Sequence, residues 1–272
     1  MSSILSPTGA EECWICLCRK VIRLDKNENI VVRQNVSEDH VLEIKKINYK
    51  SPIIFAGFVG PGLAGPLSVG YMIERLKMQE VGYLRSRFLP PSTVFIQGRL
   101  RHPFRFYSNK KGTICAIICE VPLRMDGLYN IASVILDWAQ SKGTKEVVIL
   151  DGVASDEHDN KIFCAAEEDL CRIMSEKGIS MISQGFITGI PGSILNECIM
   201  RKIRAITLLV KASHTSPDPL AAATLIDAVN KVYGLGIDVS DLRNEKEKIG
   251  QEFKELSEKY KEHRQSDSGM YM

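Results

Sequence analysis

Two kinds of apolar pattern follow each other along the chain: continuous runs and repeats at helical spacing. Four continuous apolar runs have the length of a strand: residues 53–58, 114–121, 147–150 and 206–210. Unbroken runs of this kind are typical of strands that are covered on both faces. Three segments repeat apolar residues at helical spacing instead: residues 67–76, 131–139 and 225–233. Strands that alternate with helices predict an α/β fold with a mainly parallel mixed sheet and helices on both faces.

The segment after the run 206–210 carries the clearest helix signals. Asp218 has the side chain of an N-cap, and Pro219 stands at the first helical position. Gly234 follows the last apolar repeat, where a glycine usually ends a helix. A helix that begins at Asp218 and ends at Gly234 is therefore predicted.

A glycine-rich turn precedes that strand. The short apolar run 185–188 predicts a further strand, which ends at Gly189, Pro191 and Gly192. Ser193 follows and is expected to cap the helix that carries the next apolar positions. This stretch predicts a strand-to-helix turn.

Shorter apolar runs complete the predicted sheet. Single strands are expected at residues 14–22, 30–32, 41–47 and 162–165, with 41–47 near the sheet edge. Residues 93–97 and 103–107 are expected to pair as a hairpin. A helix after 162–165 is expected to bury Leu170, Ile173 and Met174.

Several of these motifs, taken in order, resemble the proteasome assembly chaperones and their archaeal and bacterial homologues. They are PIIFAGFVGPGLAGPLSVGYMIERL at 52–76, GFITGIPGSIL at 185–195, the LLV strand, SPDPLAAATLIDAV at 216–229 and GLGIDVSDL at 234–242. The resemblance runs from about residue 53 to residue 242. It implies an α/β body like that of nucleoside phosphorylases and hydrolases, a homo-oligomer, and a chaperone or adaptor function without catalysis.

The chain divides into four predicted segments. Residues 1–12 are expected to be disordered, and residues 13–242 to form the α/β domain. Residues 243–264 are expected to form a charged helix with one narrow apolar seam: Leu242, Ile249, Phe253, Leu256 and Tyr260. Residues 265–272 form the predicted flexible tail.

The last three residues extend the resemblance. Met270, Tyr271 and Met272 match the hydrophobic-Tyr-any carboxyl terminus of proteasome activators and of some archaeal relatives. In those relatives the terminal carboxylate pairs with a pocket lysine between adjacent α-subunits of the core particle, which implies these α-subunits as the partner here. The alternative is an oligomeric scaffold whose terminus matches by accident.

Composition narrows the classes of partner. Lys and Arg number 35 against 33 Asp and Glu, and this net charge of +2 does not favour nucleic acid or an anionic membrane. No apolar run reaches transmembrane length, so a cytoplasmic protein is expected. The basic cluster Arg99, Arg101, His102 and Arg105 is expected to be a solvated or interface face. The eight cysteines are expected to be reduced core thiols.

The candidate ligand-binding residues lie at the predicted ends of strands. An enzyme or a nucleoside- or phosphate-binding protein is the alternative function. Its ligand would lie at Gly57, Gly60, Gly62, Gly65, Asp151, Gly189, Gly192 and Ser193. The glycine order differs from the dinucleotide fingerprint, and no nucleophile, base and orienting group occur together. Cys13-Trp-Ile-Cys16-Leu-Cys18 has no second ligand pair at zinc spacing, so neither a metal nor a cofactor is predicted.

Overall fold

The computed structural model describes the backbone of three strands between residues 15 and 34, and then residues 39–157, 159 and 161–244. The first three strands are Ile15–Leu17 (β1), Lys20–Leu24 (β2) and Ile30–Gln34 (β3). They form an antiparallel sheet in the order β1-β2-β3. The prediction of one strand over 14–22 is wrong, because the chain reverses between β1 and β2 and pairs Ile15 with Ile22.

The remaining strands form a nine-stranded sheet and one separate hairpin. In chain order they are His40–Glu43 (β4), Ile53–Gly57 (β5), Gln79–Arg85 (β6), Val94–Ile96 (β7), Arg99–Arg101 (β8), Phe104–Ser108 (β9), Ile114–Cys119 (β10), Glu146–Ala154 (β11), Ile162–Ala166 (β12), Ser180–Met181 (β13) and Ala205–Ala212 (β14). The large sheet has the order β13-β12-β14-β11-β5-β10-β9-β6-β4, and β7 and β8 form a separate two-stranded hairpin. Strand β4 lies at a sheet edge, as expected, but it ends at Glu43, so the predicted strand over 41–47 is too long.

The pairing directions confirm a mixed α/β sheet. The central strands β14, β11, β5 and β10 are parallel, which is why their sequences are continuously apolar. Strands β9, β6 and β4 continue the sheet in antiparallel pairs. At the other edge β12 is antiparallel to β14 and parallel to β13.

Helices cover both faces of this sheet. They are Ala64–Arg75 (α1), Leu128–Ser141 (α2), Glu168–Glu176 (α3), Gly189–Arg201 (α4), Pro219–Tyr233 (α5) and Ser240–Asn244 (α6), with 3-10 turns at Pro61–Leu63 and Met125–Gly127. Helices α1 and α5 share one hydrophobic core with Met174 of α3 and Leu242 of α6. Helices α2 and α4 pack into a second core on the opposite face. The prediction of helices on both faces is confirmed.

The capped helix α5 agrees with its sequence signals. The Asp218 carboxylate accepts hydrogen bonds from the backbone N–H of Ala221, at 3.1 Å, and of Ser213, at 3.2 Å. Pro219 is the first helical residue, and Gly234 ends the helix with φ of 67°. These bonds satisfy an N–H group at the helix start and hold the preceding loop against it.

Three local predictions are wrong, and one strand is missing from the prediction. Residues 185–188 are irregular, and the strand in this region is β13. The hairpin forms between β7 and β8, while β9 joins the large sheet. Strand β6 had not been predicted. The side chain of Ile173 is exposed, although Leu170 and Met174 are buried.

Candidate functional site

The turn between β5 and α1 brings backbone atoms into close contact. A Cβ atom on Gly57 would lie 2.3 Å from the carbonyl oxygen of Gly65. A Cβ atom on Gly65 would lie 2.4 Å from the carbonyl oxygen of Leu150 in β11. Only glycine allows a helix and two strands to approach this closely. These two predicted site residues therefore have a packing role in the structure.

Gly60 and Gly62 connect this turn to two other strand ends. A Cβ atom on Gly60 would lie 2.5 Å from Oδ1 of Asp151. Gly62 has φ of 61°, and its carbonyl oxygen accepts a hydrogen bond of 2.8 Å from the Asp218 N–H. The structure thus brings together Gly57, Gly60, Gly62, Gly65 and Asp151. Asp151 lies inside β11, which continues to Ala154, so the prediction that it ends its strand is wrong.

Asp151 is a carboxyl group held in a crowded place. Its Oδ1 accepts a hydrogen bond of 2.8 Å from the N–H of Gly152. Burial raises the pKa of Asp151 from 3.8 to about 6, and the bond from Gly152 opposes that rise. Above that pH an anionic carboxylate faces Gly60, which would repel a phosphate group at the turn.

Gly189, Gly192 and Ser193 lie at the start of α4, which packs on the face opposite α1. Gly192 is needed because a Cβ atom there would lie 2.3 Å from the Ile187 carbonyl oxygen. The N-cap is Thr188, so the capping role predicted for Ser193 is wrong. The Ser193 hydroxyl instead donates a hydrogen bond of 3.2 Å to the Gly189 carbonyl within the helix.

Buried thiols do not supply a nucleophile. The described cysteines are all free thiols, and Cys115, Cys119, Cys164 and Cys198 are buried. Burial raises the pKa of Cys115, Cys119 and Cys198 to about 12, so little thiolate forms at neutral pH. Among the residues that the structure describes, no group of three His, Cys, Asp or Glu side chains could hold a metal ion.

A family comparison identifies the body of the protein. The model of the PAC2 family matches residues 54–257, which is most of the chain. The chain belongs to the PAC2 family. The resemblance to proteasome assembly chaperones, which rested on the turn at 52–76 and the motifs after residue 185, is thereby confirmed.

Several relatives share this PAC2 fold. A protein of unknown function from Thermoplasma acidophilum superposes with a TM-score of 0.77 at 34% identity, over 81% of this chain and 92% of its own. Pyrococcus furiosus PbaA, an archaeal homolog of proteasome-assembly chaperone, gives 0.71 at 26% identity, over 83% and 99%. An uncharacterized protein of Methanocaldococcus jannaschii is 28% identical over 80% of this chain and 91% of its own length.

The predicted docking residues Met270, Tyr271 and Met272 lie outside the described residues, as does everything after Asn244. The cysteine motif at 13–18 is described only as backbone of β1, at residues 15–17. Within the described part of this PAC2 protein, no helix is long and apolar enough to cross a bilayer.

Sequence reasoning missed one buried polar cluster in the PAC2 body. Arg105 was grouped with an exposed basic face, but it is only 2% exposed. Its guanidinium lies 2.7 Å from the buried carboxylate of Glu120 and donates a hydrogen bond of 2.9 Å to the Tyr107 hydroxyl. Tyr107 in turn donates to Glu80 at 2.9 Å. The position of Arg105 between Phe104 and Phe106 was the available signal of burial.

Asp151 gives a testable pH dependence. Between pH 3.8 and about 6 the folded protein holds a proton that the unfolded chain releases, so stability falls as pH rises across this interval. We expect Asp151→Asn to raise the free energy of unfolding by about 1–3 kcal/mol at pH 7.5 and by much less at pH 4. Urea denaturation of both proteins at the two pH values checks this. An equal difference at both would contradict a partly buried Asp151 carboxyl that titrates in this interval.

Proposed function

We propose that this PAC2-family chain is a non-enzymatic adaptor of the assembly-chaperone type that binds the proteasome core particle. Binding occurs at the α-ring, through Met270, Tyr271 and Met272. The observation that carries the proposal is this hydrophobic-Tyr-any triplet on a chain of this family. PbaA, which is described as an archaeal homolog of proteasome-assembly chaperone, supports it because the match covers 99% of PbaA at 26% identity.

The chemistry of the triplet suits a groove between protein subunits. A terminal carboxylate accepts charge-assisted hydrogen bonds from a lysine, which are stronger than neutral ones. The Tyr271 ring buries a large apolar area while losing few rotamers. Residues 265–269, Gln-Ser-Asp-Ser-Gly, are polar and mostly small, which suits a tether between the helix predicted at 243–264 and the groove.

A single tail of this kind binds weakly, because the tether loses conformational freedom on docking. Several tails on one oligomer raise the overall affinity without any new contact, provided that they reach their grooves together. The protein is therefore proposed to act as a homo-oligomer. Its place of action is then the cytoplasm, where such core particles occur.

A pull-down with an archaeal-type core particle tests the proposal. We expect the full chain to be retained, and a chain lacking residues 270–272 to bind at least about tenfold more weakly, since losing an aromatic anchor typically costs 2 kcal/mol or more. Tyr271→Ala should behave like the truncation. The control Ser266→Ala alters the tether but keeps the triplet, and it should bind normally. Equal retention of the truncated and full chains would reject the proposal.

A further inference from the structure

Two cysteines lie close together where β12 leads into α3. Cys164 is the middle residue of β12, and Cys171 lies in the first turn of α3. Only Glu167 stands between the strand and the helix. Cys164 is fully buried in the same core as Met174 of α3, whereas Cys171 is half-buried. The two residues are called the Cys164–Cys171 pair below.

The Cys171 side chain points back to the strand. Its thiol donates a hydrogen bond of 3.2 Å to the carbonyl oxygen of Ala166, the last residue of β12. Side chains two residues apart on a strand project from the same face, so Ala166 and Cys164 face the same core. The Cys164 and Cys171 thiols lie within hydrogen-bonding reach of each other. The fold therefore supplies the proximity that a disulfide requires.

The two thiols differ in how an oxidant reaches them. Burial, together with the neighbouring Cys171 thiol, raises the pKa of Cys164 to about 11, so Cys164 keeps its proton at neutral pH. Cys171 is partly accessible to solvent and meets an oxidant first. Glu167 and Glu168, which precede it in the chain, are exposed and acidic. Their charge disfavours an anionic oxidant and favours an uncharged one.

We propose that the Cys164–Cys171 pair is a reversible redox site whose oxidant is a small uncharged disulfide. Cys171 loses its proton and attacks one sulfur of the oxidant, whose S–S bond breaks, and the small thiolate that leaves takes up a proton. Cys164 then loses its proton and attacks the Cys171 sulfur of this mixed disulfide, and the second small thiol leaves. Two cysteine thiols are thereby oxidised to one disulfide, while one small disulfide is reduced to two thiols.

The disulfide fastens α3 to the sheet. Two of the nine residues of this helix, Leu170 and Met174, are buried. A helix with few buried residues opens locally more often than the core does. A covalent link between α3 and β12 restricts the opened state and so makes opening rarer. Oxidation therefore converts a lightly packed edge of the sheet into a fixed one.

A single tryptic peptide reports the state of the pair. Trypsin cleaves after Lys161 and Arg172 and releases residues 162–172, in which Cys164 and Cys171 are the only cysteines. The folded full chain is incubated with bis(2-hydroxyethyl) disulfide, quenched with acid, blocked with N-ethylmaleimide in denaturant and digested. We expect peptide 162–172 to carry no blocking group and to lack two hydrogen atoms, as an internal disulfide requires. Treatment with dithiothreitol before blocking should restore two blocked cysteines.

A second tryptic peptide, residues 112–124, is the matched control. It contains Cys115 and Cys119, which are both buried in β10. Four residues along a strand separate their Cα atoms by ~13 Å, which is too far for a disulfide. This peptide should stay reduced. Equal oxidation of both peptides would show that unfolding exposes the thiols, and it would overturn the proposal.

Two variants test the order of the steps. In Cys164→Ala the second thiol is missing, so peptide 162–172 should accumulate a mixed disulfide with one small thiol at Cys171. In Cys171→Ala the buried Cys164 should remain a free thiol until the protein is denatured. Circular dichroism checks that both variants are folded. A folded Cys164→Ala chain that takes up no small thiol would reject Cys171 as the first thiol to react.

An equilibrium measurement on the original chain needs no variant. The ratio of disulfide to dithiol in residues 162–172 is measured for the folded chain and for a synthetic peptide of the same residues, in one buffer of 2-mercaptoethanol and its disulfide. We expect the ratio to be at least about tenfold higher in the folded chain, because the fold holds the two thiols together. An equal or lower ratio in the folded chain would overturn the proposal.

Amide hydrogen exchange measures the effect on α3. Exchange at residues 168–176 should be at least about tenfold slower in the oxidised chain than in the reduced chain. Equal exchange in the two states would contradict the fastening of α3. The proposal is independent of the proposed docking, so the chain lacking residues 270–272 should form the same disulfide.

Discussion

Replacing Arg105 by methionine is expected to lower the free energy of unfolding by about 3–5 kcal/mol. The reason is the partner left behind: the Glu120 side chain is only 4% exposed and lies 2.7 Å from the guanidinium. Among the described residues, Glu120 Oε2 accepts no well-directed hydrogen bond, so charge attraction to the Arg105 guanidinium carries the contact. Removal of the Arg105 cation leaves the buried Glu120 carboxylate without its positive partner. The Tyr107 hydroxyl also loses the hydrogen bond that Arg105 donates to it.

Urea denaturation followed by tryptophan fluorescence would measure this effect. The double variant Arg105→Met with Glu120→Met should recover most of the loss, because two apolar side chains replace a buried ion pair at little net cost. The exposed pair Arg124–Asp126 has the same 2.7 Å separation and serves as a matched control. Arg124→Met should change stability by less than about 1 kcal/mol. A comparable loss at Arg105 and Arg124 would contradict the importance of burial.

Replacing Gly65 by alanine is expected to destabilise the protein by about 3 kcal/mol or more, at the upper end for overpacked sites. The added methyl group would lie 2.4 Å from the Leu150 carbonyl oxygen, and the nearby Gly57 backbone limits any shift of α1. Both obstacles are backbone atoms of core elements, so no side chain can move aside. The turn between β5 and α1 would have to open.

Gly70 in the same helix provides the control. A Cβ atom there would lie 3.6 Å from Cδ1 of Ile118, an ordinary van der Waals contact. Gly70→Ala should therefore stabilise the protein by about 0.5–1 kcal/mol, through the higher helix propensity of alanine. Thermal or urea denaturation of both variants should give opposite signs. A stabilised Gly65→Ala variant would contradict the close approach of α1 and β11.

The sequence predicted those helices and strands in which neighbouring residues all favour the same element. The continuous apolar runs marked the parallel strands β5, β10, β11 and β14, because burial on both faces leaves no polar alternation. Asp218 and Gly234 marked both ends of α5 for reasons that lie within one turn of the chain. The apolar pattern does not predict strand β6, because Glu80 and Tyr83 interrupt it. Both residues belong to the polar cluster around Arg105.

The candidate site shows why the rest could not be predicted. A glycine in a sequence signals conformational freedom or a close approach, but not which atom approaches. Position 65 requires glycine because the Leu150 carbonyl oxygen lies close to it, and position 60 because the Asp151 carboxylate does. Both partners come from a distant part of the chain. The burial of Arg105 likewise depends on Glu120, which becomes its neighbour only when β9 pairs with β10. The order of the family motifs was more informative than any single motif.

Helix α6 holds the last described residues against the rest of the body. Leu242 of α6 is buried in the same core as α1 and α5. Asp241 pairs with Arg75 of α1, and Arg243 pairs with Asp227 of α5. These contacts fix residue 244 on the face covered by α1 and α5, opposite the face covered by α2 and α4. Residue 244, the last that the structure describes, is therefore held at a defined place on the body.

Photo-cross-linking from position 271 tests the central claim most directly. Replacing Tyr271 by p-benzoylphenylalanine keeps an aromatic ring in the triplet and attaches it to whatever it contacts. Irradiation in the presence of core particle should yield a cross-link to an α-subunit, and excess unlabelled full chain should suppress it. A cross-link confined to other copies of this chain, with none to the α-ring, would contradict the proposed docking.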